Sequence, residues 1–329
     1  EDADKDVTLE VNVVEMVDPN KDSTDADADH TKQPYLRYSF KSDATSVKTA
    51  KDTGADSHFM TTVPDDAYDD NPAATRTETV DVTKIVASAK CEDMKFWSPD
   101  SPNLYDVYTV LKDSEGNVLD VQKTTTGFRK VEYDINDGGL KINDQPVWLT
   151  GYAQRSTNEW AVIGVANDWL QDLDMQWIKE SNSNFIRWMH VAPKPSQIRS
   201  GDKYGVVSAC PAGDKEADVD GRAWDQRVEA MRDAMIYFRN SPSVIFWETG
   251  NNAVTAAHQQ EMTDLKNTLD PNGERFCGCR TISSTDQIQA ADYVGTMLNR
   301  HASNAKASMA AIKKYVPIME TEYAETCMG

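Results

Sequence analysis

From residue 140 onward, short apolar runs alternate with stretches of helical period, and that alternation leaves the chain few architectures to adopt. The apolar runs are Pro146–Tyr152, Asn184–His190, Val206–Cys210, Ser243–Gly250, Arg275–Arg280, Ala291–Met297 and Val316–Glu322. Between them, Asn167–Ser181 carries Leu170, Leu173, Trp177 and Ile178 at helical spacing, and Trp224–Phe238 carries Val228, Met231, Met235 and Ile236. Asn240-Ser241-Pro242 breaks the second of these, and further helices are expected at Ala256–Thr268 and Ala302–Lys314. Repeated strand–helix units predict a parallel sheet covered by helices. Seven strands fall one short of a closed (β/α)8 barrel. An open nucleotide-binding sheet would need a glycine-rich turn after its first strand, and Gly151-Tyr152-Ala153-Gln154-Arg155 is not one. An incomplete (β/α)8 TIM barrel over residues 135–329 is therefore expected.

Residues 1–134 have a different texture. Val7–Val14 alternates with period two, and similar stretches recur at Tyr35–Phe40, Thr77–Val82, Tyr105–Lys112 and Val118–Thr126. Ser114-Glu115-Gly116-Asn117 is a hairpin turn by composition. Short strands at this spacing predict a β-sandwich, so the whole chain reads as multidomain, β plus α/β. The formal net charge is −20, much of it before residue 83. Such a surface repels phosphate backbones and anionic lipid, which argues against nucleic-acid and membrane partners. No apolar run approaches the ~18 residues of a membrane span. Asp25-Ala26-Asp27-Ala28-Asp29 begins like a calcium loop, but His30 and Leu36 stand where the loop needs Gly and Glu. Cys277-Gly278-Cys279 is too tight for zinc. No metal and no cofactor is expected.

In a barrel of this kind, chemistry sits at the carboxyl ends of the strands. Reading those ends yields Arg155, Arg187 with His190, Cys210, Asn251 with Asn252, Arg280, and Glu320 with Glu322. Strand parity puts Glu248 and Asn252 on one face, and Glu320 and Glu322 on one face. An inward carboxylate at a barrel mouth is a candidate nucleophile or acid/base. The alternative for it is an ion pair with Arg187 or Lys314.

Ile318-Met319-Glu320-Thr321-Glu322-Tyr323-Ala324 resembles the nucleophile strand of family 2 glycoside hydrolases, the β-galactosidase family. Asn240–Asn251 is similar to that family's Asn-His-Pro-Ser-…-Trp-…-Gly-Asn-Glu segment, and Asn184–His190 with Asp202–Gly205 to its Arg- and His-bearing block. Phe96–Tyr105 resembles the signature of its immunoglobulin-like domain, and Thr126–Val131 the exit into the barrel. The resemblance implies an immunoglobulin-like β-sandwich (1–134) and a retaining exo-glycosidase acting on an oligosaccharide or polysaccharide with a terminal β-linked sugar, a β-galactoside foremost. It implies Glu322 as nucleophile, Asn251 as partner of the sugar 2-hydroxyl, Arg187 as the cation keeping Glu322 ionised, and His190 in the sugar subsite. Trp188 is expected to stack on the sugar. A retaining enzyme needs two carboxyls roughly 5–5.5 Å apart, one of them protonated.

One departure matters most. Where the family places its acid/base Glu, this chain has Asn252. An amide cannot protonate a leaving oxygen, and general acid catalysis contributes about 10²–10⁴-fold. Glu248 and His258 are the alternative proton donors near in sequence. A non-catalytic carbohydrate-binding homologue, an altered residue at 252, and β-glucuronidase or β-mannosidase specificity stay open beside the main reading. The eighth strand is not found, so a longer parent chain is expected. The resemblance allows a homo-oligomer, and a periplasmic or secreted bacterial location is favoured over a cytoplasmic one.

Overall fold

The computed structural model describes residues 5–16, 35–47, 83–134, 139–155, 167–213, 217–280, 284–296 and 316–321. The acidic loop 25–29, the strand expected at 77–82, the helix expected at 302–314 and Glu322 lie outside them. Two compact units form: Glu1–Met94 with Tyr105–Thr125, and Lys95–Leu104 with Thr126–Gly329.

In chain order the strands up to residue 126 are β1 (Lys5–Glu15), β2 (Tyr35–Lys41), β3 (Thr45–Val47), β4 (Trp97–Ser98), β5 (Ser101–Pro102), β6 (Tyr105–Asp113) and β7 (Val118–Thr126). The first unit is an antiparallel sheet in the order β2-β1-β6-β7, with β3 also on β1. Its alternation has a physical readout. Val7, Val11 and Val13 are buried, and Val11 and Val13 pack with Tyr105 under Tyr38, Phe40 and Met94. The predicted hairpin turn joins β6 to β7, where Asp113 Oδ1 accepts from the backbone N–H of Glu115 and Asn117 at 3.0 and 2.8 Å.

In the second unit, β8 (Val131–Asp134), β9 (Gly139–Ile142) and β10 (Gln145–Pro146) make a small antiparallel sheet. It precedes a seven-stranded parallel sheet, adjacent in sequence order: β11 (Gly151–Arg155), β12 (Phe185–Met189), β13 (Val207–Pro211), β14 (Val244–Glu248), β15 (Phe276–Cys279), β16 (Tyr293–Thr296) and β17 (Ile318–Glu320). The described helices are α1 (Asp168–Glu180), α2 (Pro195–Tyr204), α3 (Arg222–Phe238), α4 (Ala256–Leu269) and α5 (Thr285–Ala290). The expected seven strands are present, although the first begins at Gly151, and Gln145–Pro146 belongs to the small sheet instead.

Parity sorts the side chains into two cores. Phe185, Val207, Ala209, Phe246 and Tyr293 fill one face, together with Trp97, Val131 and Ile142. Ile186, Trp188, Cys210 and Trp247 face the helices, against Met175, Met231, Met235 and Met262. In α1 the buried positions are Gln171, Met175 and Ile178, while Trp177 is exposed, so the inward stripe is rotated from the expected one. Helix α2 was not foreseen. Its signals are local: Pro195 at its start, Gln197 Oε1 accepting from Lys194 N at 2.7 Å, and Gly205 at its end with φ 73°. Gly205 also meets the backbone of Pro99 so closely that a Cβ would lie 2.3 Å from its carbonyl oxygen.

The loop 95–104, read from sequence as part of the first domain, packs in the second unit. Trp97 is fully buried there, and its Nε1 donates to the Asp202 carbonyl at 2.8 Å. A large apolar side chain settles where the most surface can be covered, and here that is the amino-terminal end of the parallel strands.

Candidate active site

The carboxyl ends of β12 and β14 bring together Arg187, Glu248 and Asn251, none more than 5% exposed. Arg187 Nε donates to Glu248 Oε2 at 2.7 Å, and Arg187 Nη2 donates to Glu248 Oε1 at 2.5 Å and to Asn251 Oδ1 at 2.9 Å. The backbone explains how residues 61 positions apart meet. Arg187 is registered with Ala209 on β13, and Ala209 with Phe246 on β14; Glu248 lies two residues further along, on the same face. Ala209, between them on β13, carries only a methyl group. A bidentate guanidinium–carboxylate pair is both strong and directional, so it holds the plane in which Asn251 is engaged.

Strand parity stops at Glu248. Residues 249–252 bend away from the β geometry. Asn252 turns to β15, where its Oδ1 accepts from Arg280 Nη2 at 2.8 Å. Thr249, in the same bend, is tied by its Oγ1 to Gln259 and to the carbonyl of Gly278 at 2.9 and 3.1 Å.

Tyr293 begins β16 on the inner face, with its hydroxyl 3.4 Å from the Trp247 carbonyl. Burial, then the charge of Glu248, push its pKa well above the ordinary value, so it stays a neutral phenol. His190 is half-buried immediately after β12. His258 lies in the first turn of α4, with Nδ1 2.8 Å from Asp218 Oδ1 and its ring stacked 3.8 Å from that of Trp224. Asp218 also accepts from Thr255 N at 2.8 Å, tying the segment before α3 to the start of α4. Sequence reading passed over Asp218, which stands in a loop with no periodicity to mark it.

Trp188 requires a correction. Expected on the sugar, it is fully buried among the helix-side residues, with Nε1 donating to Ser208 Oγ at 3.3 Å. The reason is period two: with Arg187 facing inward, its neighbour must face the helices. Cys210 is core for the same reason, and burial raises its thiol pKa far above the usual range. Among the described residues, Arg187 is engaged by Glu248 and Asn251, and no group of His, Cys, Asp and Glu is arranged to hold a metal. No described helix is long and apolar enough to cross a membrane.

Comparison with known proteins agrees with this architecture. Residues 2–129 match the sequence model of glycosyl hydrolases family 2, and residues 133–329 match that family's TIM barrel domain. The chain belongs to glycosyl hydrolases family 2, with a sandwich domain followed by an incomplete TIM barrel. A β-glucuronidase of Formosa agariphila is 36% identical over 198 residues, covering 60% of this chain and 20% of that protein. A β-galactosidase of Photobacterium profundum is 28% identical over 188 residues, covering 54% and 18%. The chain thus spans about a fifth of the length of these curated relatives. Among solved structures, a family 2 β-glucuronidase superposes with TM-score 0.72 at 24% identity, over 99% of this chain and 28% of that one. The Bacteroides uniformis β-glucuronidase gives 0.70 at 16%, over 98% and 37%.

Proposed function

We propose that the protein containing this chain hydrolyses terminal β-linked sugars with retention, through a glycosyl ester on Glu322. The observation that carries this reading is the Arg187–Glu248–Asn251 network at the carboxyl ends of β12 and β14, where barrels of this type hold their chemistry. Asn251 gives its oxygen to a guanidinium that can only donate, so its Nδ2 is the donor end that serves the sugar 2-hydroxyl. His190, three residues after Arg187, lines the same subsite. Glu248 is assigned as the counter-ion of Arg187. Both its oxygens accept from the guanidinium.

The sugar is the finer question. The sequence favours a β-galactoside, whereas the 36% identity to a β-glucuronidase, against 28% to a β-galactosidase, supports a β-glucuronide. A panel of aryl β-glycosides on the full-length protein separates them: we expect the glucuronide to be turned over fastest, and a faster galactoside would reverse the choice. The mechanism is tested by a 2-deoxy-2-fluoro β-glycoside of the preferred sugar. The expected result is one covalent adduct on the peptide bearing Glu322, lost in Glu322→Gln. Sugar binding with no adduct would support a non-catalytic carbohydrate-binding protein instead.

A further inference from the structure

Behind the bend that follows Glu248, a buried polar chain runs through helix α4. Thr249, Gln259 and Thr263 are all buried, the first two completely. Thr249 donates from its backbone N–H to the Gly278 carbonyl at 2.8 Å. Its Oγ1 lies 2.9 Å from Gln259 Oε1 and 3.1 Å from the same carbonyl. Gln259 Nε2 is 3.3 Å from Thr263 Oγ1 and 3.8 Å from Cys277 Sγ, and Thr263 Oγ1 is 2.7 Å from the Ala290 carbonyl at the end of α5. These contacts run in one direction. The Ala290 carbonyl can only accept, so the single hydroxyl proton of Thr263 goes to it. Thr263 then accepts from Gln259 Nε2, which turns Oε1 of the same amide to Thr249, and the Thr249 hydroxyl donates. Around the bend itself there is little slack: a Cβ on Gly250 would lie 3.1 Å from the Asn252 carbonyl oxygen and 3.2 Å from Val254 Cγ1.

We propose that Gln259 is a positioning residue of the site: through Thr249 it fixes the bend 249–252, and hence the place at which Asn251 meets Arg187. The inference rests on the reading above that the Arg187–Glu248–Asn251 network serves a glycosidase. Two physical arguments support it. First, the relay is not needed to satisfy its neighbours. Without the Gln259 amide both hydroxyls keep a backbone acceptor, Gly278 for Thr249 and Ala290 for Thr263. No buried donor is orphaned, so an apolar side chain of similar size at 259 costs little stability. Second, the relay acts where position matters. Thr249 stands one residue after Glu248 and two before Asn251, and both of these are held by Arg187. Arg187 grips this segment from the strand side and Gln259 from the helix side. A fully satisfied buried network is stiff, and a bend clamped from two sides keeps one geometry. Gln259 touches neither sugar nor aglycone in this scheme; it acts through Thr249 and the backbone.

The test compares turnover with folding in the full-length protein, on the aryl β-glycoside that the unmodified protein prefers. Gln259→Leu is expected to lower kcat by about 10–10²-fold, the scale of a small misplacement made away from the chemistry, with KM and the urea unfolding midpoint nearly retained. Thr249→Val, which cuts the same relay at its other end, should lower kcat to a similar degree, and Thr249→Ser, which keeps the hydroxyl, should restore most of it. Adding Gln259→Leu to Asn251→Ala should then cost little more, because the group being positioned is already gone. Unchanged kcat in a folded Gln259→Leu protein would overturn the proposal. So would a loss of activity that follows the loss of folded protein, or losses that multiply in the double variant. If Gln259→Leu fails to fold, the Thr249→Val and Thr249→Ser pair decides by the same criteria. An unmodified protein that turns over no β-glycoside would instead remove the glycosidase reading itself, so the two failures are distinct.

Discussion

The two ends of the parallel strands use buried arginines in different proportions of backbone and side-chain partners. At the amino-terminal end, Arg129 donates to the carbonyls of Pro242, Gly273 and Val244, at 2.6, 3.2 and 3.0 Å. Arg275 donates to the carbonyls of Val244 and Ser241 at 2.7 and 2.8 Å, and pairs with Asp270 at 2.8 Å. Desolvation and the neighbouring Arg275 draw the pKa of Arg129 down to about 9. These cations mainly bind backbone: they tie the segment leading into the barrel to the loops between the strands. At the carboxyl end, Arg187 reaches the side chains of Glu248 and Asn251, and Arg280 divides between the Asn252 side chain and the Asn251 carbonyl. Cations satisfied by backbone carbonyls fix a scaffold, and cations satisfied by side-chain oxygens fix the orientation of groups that can act on a substrate. The difference lies in the partner, since the residue type is the same.

The largest expected effect tests that division at the carboxyl end. Arg187→Met strands a buried carboxylate and is expected to cost about 3–5 kcal/mol in urea unfolding, with loss of turnover. Replacing both Arg187 and Glu248 by Met should return most of the stability and none of the activity. Recovered turnover in that double variant would break the comparison. Trp97→Ala, at the other end, should cost about 3 kcal/mol or somewhat more through the cavity it leaves, with kcat per folded molecule unchanged. A drop in kcat at constant fold would show that the two ends are coupled.

Asp202 sharpens the picture through pH. It is 5% exposed, and burial raises its pKa from 3.8 to about 6. The fold therefore binds this proton more tightly than the unfolded chain does. The group's contribution to stability is greatest below pH 4, declines as pH rises from 4 to 6, and is flat above. Asp202→Asn keeps an oxygen for the Ser243 N–H, which donates to Asp202 Oδ1 at 3.0 Å. It should stabilise the protein by about 3 kcal/mol at pH 7, while the gain vanishes near pH 4; unfolding curves at both pH values check it. The smallest effect is reserved for the exposed pair of Arg199 and Asp168, at 3.3 Å with side chains 60% and 77% exposed. Arg199→Ala should change stability by no more than about 0.5 kcal/mol, read from the same unfolding midpoint.

How much of this was legible beforehand depends on the kind of signal. Arg187, Asn251 and Arg280 enter the candidate set because polar residues that end apolar runs are visible without any structure. Trp188 was misassigned although the signal was present: once Arg187 is placed inside, period two sends its neighbour outside. Helix α2 was passed over because its core face is thin, yet Pro195 and Gly205 marked both its ends. The ion pair of Arg187 with Glu248 had no local sign. It depends on the register across β13.

The chain order alone determined the sequence of strands and helices and the alternation of faces along most of each strand. Those properties follow from alternation and helical period, which act over a few residues. Only the tertiary structure decided that Glu248 neutralises Arg187, that Asn252 turns to Arg280, and that Trp97 packs with the barrel. These partners are 61, 28 and more than a hundred residues apart or in different segments. Their meeting is set by strand register and by the drive to bury large side chains and pair buried charges, which no local pattern encodes.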